Sequence, residues 1–165
     1  MKTTLFLMAA ITLLAGHALA DEHESGEHRS PRLQPSKLNT TWQQECASCH
    51  IAYAPGLLPA ESWRKVMAGL DKHFGSDASL TPQENQAITT FLVNNASMPP
   101  STRARSAATP LRISETAWFQ RQHDSHEIRP EVWKRASIKS PANCAACHPG
   151  AAKGDFEEDR IRIPR

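Results

Sequence analysis

The sequence predicts an all-α chain of short helices with little or no β structure. Three observations carry that expectation. Apolar residues recur at helical spacing, as in Trp63, Val66, Met67 and Leu70. The run Thr81-Pro82-Gln83-Glu84 reads as a helix start, with Thr81 as cap, Pro82 as first helical residue and Glu84 completing a capping box. No segment alternates in the manner of a convincing strand.

The elements follow in order. Residues 1–20 read as a signal peptide. Lys2 supplies a positive start, Leu5 to Leu14 is apolar apart from Thr12, and Ala18-Leu19-Ala20 offers small residues for cleavage after Ala20. The apolar run is shorter than the ~20 residues a membrane span needs, so it reads as a cleaved leader and not as an anchor. The expectation is an exported, periplasmic protein with no span after cleavage. Residues 21–35 are charged, contain His23 and His28, and read as a disordered polar tail. The folded domain is expected over 36–165, as a first segment 36–95, a linker 96–109 and a second segment 110–165.

In the first segment Trp42 lies four residues before Cys46, placed to pack on the edge of a group bound there. Pro55, Gly56 and Pro59 interrupt the chain. A helix is expected from Glu61 to His73, stopped by Gly75. A second helix begins at Thr81, turns Ala87, Ile88, Phe91 and Leu92 inward, and ends near Asn95. The Ser-, Pro- and Arg-rich linker follows. A third helix is expected from Glu115 to His123, carrying Trp118 and Phe119. Pro130 starts a short turn with Val132 and Trp133. The stretch beginning at Ser140-Pro141 leads to His148, and the tail 155–165 is polar.

The chain carries 19 basic and 17 acidic residues, a formal charge of +2. Loss of Lys2 with the leader brings this to +1. Such a balance, without a basic run, gives no case for nucleic-acid binding. Twelve prolines and few aromatics leave a chain of this length short of core material.

The four cysteines explain how it folds nonetheless. They fall in two motifs, Cys46-Ala47-Ser48-Cys49-His50 and Cys144-Ala145-Ala146-Cys147-His148. Disulfides are the first alternative in an exported chain, but Cys-x-x-Cys-His is the attachment signature of c-type haem. Two thiols three positions apart lie on one side of a helical turn and can bond both vinyl groups of a porphyrin. The adjoining histidine then faces the iron. A redox dithiol or a zinc site would want a βαβ pattern or four clustered ligands; the motifs are far apart and no such pattern is present. The helices are therefore expected to pack around two covalently bound haem c groups. Cys46, Cys49, Cys144 and Cys147 attach them, and His50 and His148 bind their irons.

The other face of each iron decides the chemistry. His73 continues the apolar stripe of Met67 and Leu70, so it is the candidate partner of His50. Met98-Pro99, similar to the methionine–proline loop of single-haem cytochromes c, is the rival, and Met67 reads as core. His123 and His126 compete for the iron held by His148, with His123 preferred.

The chain resembles the bacterial periplasmic dihaem cytochrome c family. The first match is Cys46-Ala-Ser-Cys-His50 with Trp63-Arg-Lys-Val-Met-Ala-Gly-Leu-Asp-Lys-His73-Phe-Gly. The second is Trp118-Phe119, His123, Trp133 and Ser140-Pro-Ala-Asn-Cys-Ala-Ala-Cys-His148. Gly154-Asp-Phe and Arg162-Ile-Pro are also similar. The resemblance implies two low-spin bis-histidine haems, His50 with His73 and His148 with the histidine after Trp118-Phe119. Around Asp124-Ser125-His126 the chain departs from the family pattern, which leaves His123 and His126 both open. As redox partners, the resemblance implies a membrane b-type cytochrome and a monohaem c-type cytochrome.

The expected function is electron transfer between a membrane-bound or soluble donor and a haem-protein acceptor, not enzymatic catalysis. The alternative is a dihaem peroxidase-like enzyme, or a ligand-sensing haem protein, with one open haem. Either would need a free iron face, and a peroxidase acid–base groups beside it.

Overall fold

The computed structural model describes residues 37–97 and 109–165. The stretches expected to be leader and polar tail, and most of the expected linker, with His23, His28 and Met98, lie outside the described residues. Among those described there are four α-helices: α1 (Thr40–Cys46), α2 (Ala60–Ala68), α3 (Pro82–Asn94) and α4 (Ala117–Gln122). Short 3-10 turns connect them. The only β features described are two isolated bridges, Pro59 with Ser97 and His73 with Ser76. The chain is thus mostly helical and without strands in these regions. No described helix is long and apolar enough to cross a membrane.

Asn39 starts α1 by accepting the Trp42 N–H at 2.8 Å. The helix ends at Cys46, so Cys49 and His50 lie in the turn beyond it. Helix α3 has the expected capping box. Thr81 Oγ1 accepts the Glu84 N–H, and the Glu84 carboxylate accepts the Thr81 N–H at 3.0 Å.

The main core lies between α2 and α3. Trp63, Met67 and Leu70 meet Ile88 and Leu92, with Trp42, Ala52 and Leu58 closing the cluster. Ile88 and Leu92 are spaced by four residues and share one face. Each such side chain contributes roughly 1.5–3 kcal/mol on burial. Ala87, expected to face inward, is exposed, because it lies about 100° around the helix from Ile88. Trp42 is buried in this core, 5.2 Å from the Phe91 ring, in the cluster on which Cys46 also packs.

The second segment is leaner. Its buried apolar side chains are Phe119, Val132, Ile138 and Ala151. Helix α4 is shorter than its expected range, because Thr116 caps it by accepting the Phe119 N–H at 3.1 Å. The residues before it, Ile113–Glu115, form a separate 3-10 turn. The segments also pack together. Ile113 touches the main core and the small cluster of Ala54 and Leu57, where Tyr53, Trp118 and Phe156 meet.

One buried hydrogen bond holds the loop between the first Cys-x-x-Cys-His motif and α2. Trp63 Nε1 donates to the Pro55 carbonyl at 2.8 Å. Trp63→Phe trims the indole to a phenyl ring and leaves the Pro55 carbonyl only the Leu58 N–H at 3.5 Å. The expected cost is about 1–3 kcal/mol, read as a lower denaturation midpoint at unchanged slope. An unaltered midpoint would mean that water replaces the indole.

Candidate haem centres

The first centre is built from three consecutive pieces of chain. Helix α1 carries Cys46 at its last position, and the following turn carries Cys49 and His50. His50 Nδ1 donates to the Ile51 carbonyl at 2.7 Å. A carbonyl only accepts, so this bond sets the tautomer and leaves Nε2 free for a metal. The facing imidazole is His73, whose ring centroid lies 6.1 Å from that of His50, with the planes 29° apart.

His73 does not end a continuous helix, as the stripe had implied. Helix α2 stops at Ala68, Gly69 takes up φ −120° and ψ 30°, and Leu70–Lys72 form a 3-10 turn. His73 follows that turn, its N–H donating to Leu70 O at 3.3 Å. Phe74 and Gly75 then adopt positive φ, 49° and 99°. Glycine tolerates this conformation freely, and the pair turns the chain back so that Ala78 N–H reaches Leu70 O at 2.8 Å. This detour carries His73 out of the helical stripe and opposite His50. Burial lowers its pKa, with His50 and Arg112 adding to the effect, which favours the neutral ring with its lone pair available.

The second centre has the reverse order. His123 caps α4, and its main-chain N–H and ring Nδ1 both engage the Phe119 carbonyl, at 3.0 and 3.1 Å. The Phe119 carbonyl thus accepts from both the cap N–H and the ring, and the ring is oriented by its share of that bond. His123 stacks on Phe119 at 4.1 Å. Across from it stands His148, 6.1 Å between centroids and with planes 74° apart. Burial lowers the pKa of both rings; for His148, His123 adds to this while Asp155 opposes it. His126 is not brought to this place. Helix α4 has ended, and His126 lies exposed in a turn whose N–H bonds to the Asp124 carboxylate at 2.8 Å.

All four cysteines are unbridged. Burial pushes the Cys46 thiol up to about 11, with Glu45 adding to the shift. Burial also raises Cys144 and Cys147.

A family model described as dihaem cytochrome c matches residues 42–156. The chain belongs to the dihaem cytochrome c family. A solved diheme cytochrome c from Rhodobacter sphaeroides shares 43% identity, covering 75% of this chain and 99% of its own, at a TM-score of 0.64. A second structure of the protein purified from that organism shares 45%, covering 73% of this chain and 98% of its own, at 0.61. A diheme cytochrome c from Shewanella baltica OS155 shares 38%, covering 76% of this chain and 93% of its own, at 0.65. No curated protein matches. This dihaem cytochrome is accordingly an electron-transfer haem protein with two iron-containing haem c groups.

The residues suit those groups. Two metal–nitrogen bonds of about 2 Å each, with the half-width of each ring, add up to a centroid spacing of about 6 Å. Both imidazole pairs have that spacing. Among the described residues no group of three or more His, Cys, Asp or Glu is gathered for a bare ion. Two facing imidazoles with no third donor suit a metal whose remaining positions belong to a macrocycle.

Among the neighbours of these centres, Tyr53 and Arg112 were not singled out from the sequence, and Asp155 and Phe156 entered only through the Gly154-Asp-Phe resemblance. Tyr53, the chain's single tyrosine, stacks on His50 at 4.7 Å and 26°. Phe156 stands edge-on to His148 at 5.3 Å. Asp155 is paired with Arg160, and its carboxyl is held low, first by the Glu157 N–H and then by that arginine. It packs so closely on Gly150 that a Cβ there would lie 2.6 Å from the Asp155 Cβ. Arg112, at the start of the second segment, lies 4.2 Å over the Phe74 ring beside His73. The spacing of Tyr53 from His50 was the one available signal, and spacing alone does not say where an aromatic ring turns.

Proposed function

We propose that the protein is a periplasmic electron shuttle working between a membrane-bound or soluble donor and a haem-protein acceptor. In this reading Cys46 and Cys49 attach one haem, and Cys144 and Cys147 the other. His50 and His73 fill both faces of the first iron; His148 and His123 fill both faces of the second. The observation that carries it is the pair of facing imidazole sets, each 6.1 Å between centroids.

Each iron supplies a one-electron ferric–ferrous couple, held below the potentials of histidine–methionine haems by its two imidazoles. The chain's own part is to hold those imidazoles. The carbonyls of Ile51 and Phe119 orient His50 and His123, and Phe119, Trp133 and Phe156 pack around the second pair. With no open face, neither centre offers a site for substrate, so the protein is read as a carrier and not as an enzyme. The sequence of residues 1–20, read as a leader, supports export. The partners are read as a membrane b-type cytochrome and a monohaem c-type cytochrome, meeting this protein through small, transient contacts.

The test is carbon monoxide added to the reduced holoprotein. No rapid binding is expected at either haem, and the oxidised protein should show two low-spin paramagnetic signals. Rapid uptake at one haem would overturn the carrier reading in favour of a peroxidase-like or sensing site.

A further inference from the structure

Tyr53 joins the two centres through a short chain of contacts. Its ring stacks on His50, 4.7 Å between centroids and 26° between planes. Its hydroxyl donates to the Ala142 carbonyl at 2.6 Å, across 89 positions of sequence. That oxygen is a hub. It also accepts the Cys144 N–H at 3.0 Å, and Cys144 Sγ lies 3.6 Å from it. One aromatic ring and one carbonyl therefore link an imidazole of the first centre to an attachment sulfur of the second.

We infer that Tyr53 is a positioning residue that couples the two haems electronically, through its stack on His50 and its hydrogen bond to Ala142. This rests on His50 holding the first iron and Cys144 attaching the second haem. Two features of the contact favour coupling over mere packing. The ring is close to parallel with the imidazole, so their π systems overlap across the stack. The hydroxyl replaces a through-space gap by a short hydrogen bond, ending on the oxygen beside the thioether sulfur. One electron passes, one iron being oxidised and the other reduced. No bond is made or broken, and the phenol keeps its proton. A second contact between the halves runs through Ala54, Leu57, Trp118 and Phe156, on which the Tyr53 ring also packs, so Tyr53→Phe, which keeps that ring, is the variant that separates the two routes. This second contact has no hydrogen bond and is the competing route.

The experiment uses the half-reduced holoprotein, in which exchange broadening of the haem methyl signals reports electron exchange between the haems. Tyr53→Phe keeps the ring and removes the hydrogen bond. Exchange should slow several-fold, with both potentials and both low-spin spectra unchanged. Tyr53→Leu removes the stack as well and should slow it further. Unchanged exchange in Tyr53→Phe overturns the inference, as does slowing fully explained by a shifted potential. If Phe156→Leu slows exchange while Tyr53→Phe does not, the route lies in the apolar cluster and the inference fails. A high-spin first haem in the unaltered protein would instead sink the ligand reading on which it rests.

Discussion

The double variant Cys144→Ala/Cys147→Ala is expected to lose the second haem and, with it, the ordered structure of the second segment. The reason is the scarcity of other core. Helix α4 runs only from Ala117 to Gln122, well short of the ~12–15 residues at which an isolated helix becomes marginal. The remaining elements there are single 3-10 turns, such as Val132–Lys134 and Cys144–Ala146. Four buried apolar side chains, Phe119, Val132, Ile138 and Ala151, cannot offset the ordering of so long a segment. In the proposed reading, a haem held by His123 and His148 would supply the missing apolar surface. The haem-to-protein ratio should halve. Amide exchange should become fast over 117–148 while α2 and α3 stay protected by their own core. Retained protection over 117–148 in a protein with half its haem would refute this dependence.

The second large effect is expected at the facing histidines. His123→Ala should turn one haem from low-spin to high-spin and open it to carbon monoxide, and His73→Ala should do the same to the other. His126→Ala should leave both spectra as they were. The contrast is geometric. The His123 ring is half-buried, locked by Phe119 and opposite His148. His126 is exposed in a turn closed by Asp124. Loss of the His123 ring bond to Phe119 O should cost only about 0.5–1.5 kcal/mol of stability, so the spectrum reports on ligation and not on unfolding. A high-spin His126→Ala with a normal His123→Ala would reverse the assignment.

Legibility in the sequence followed the range of each interaction. The capping box of α3 was readable because both of its bonds join residues three apart. The all-helical class was readable from periodic stripes. The boundaries were less so. The stripe from Trp63 to His73 suggested one helix, and what broke it was Gly69 and the left-handed turn at Phe74 and Gly75. The third helix was overextended, because Thr116 outcompetes Glu115 as a start.

Haem attachment belongs to the local class. Two thiols and an imidazole within five residues are a chemical unit, and the family match rests on the same unit. The facing imidazoles belong to the other class. His73 and His123 reach their places through chain reversals and a helix end, and which of His123 and His126 stands opposite His148 turned on where α4 stopped. Tyr53 lies at the far extreme: its hydrogen bond to Ala142 spans 89 positions of the chain. Short-range covalent spacing thus announced two haems, whereas the positions of their second imidazoles, and the contact between the two centres, came from tertiary packing. Spacing along a chain constrains only neighbours; which distant groups meet depends on turns and buried surfaces formed together.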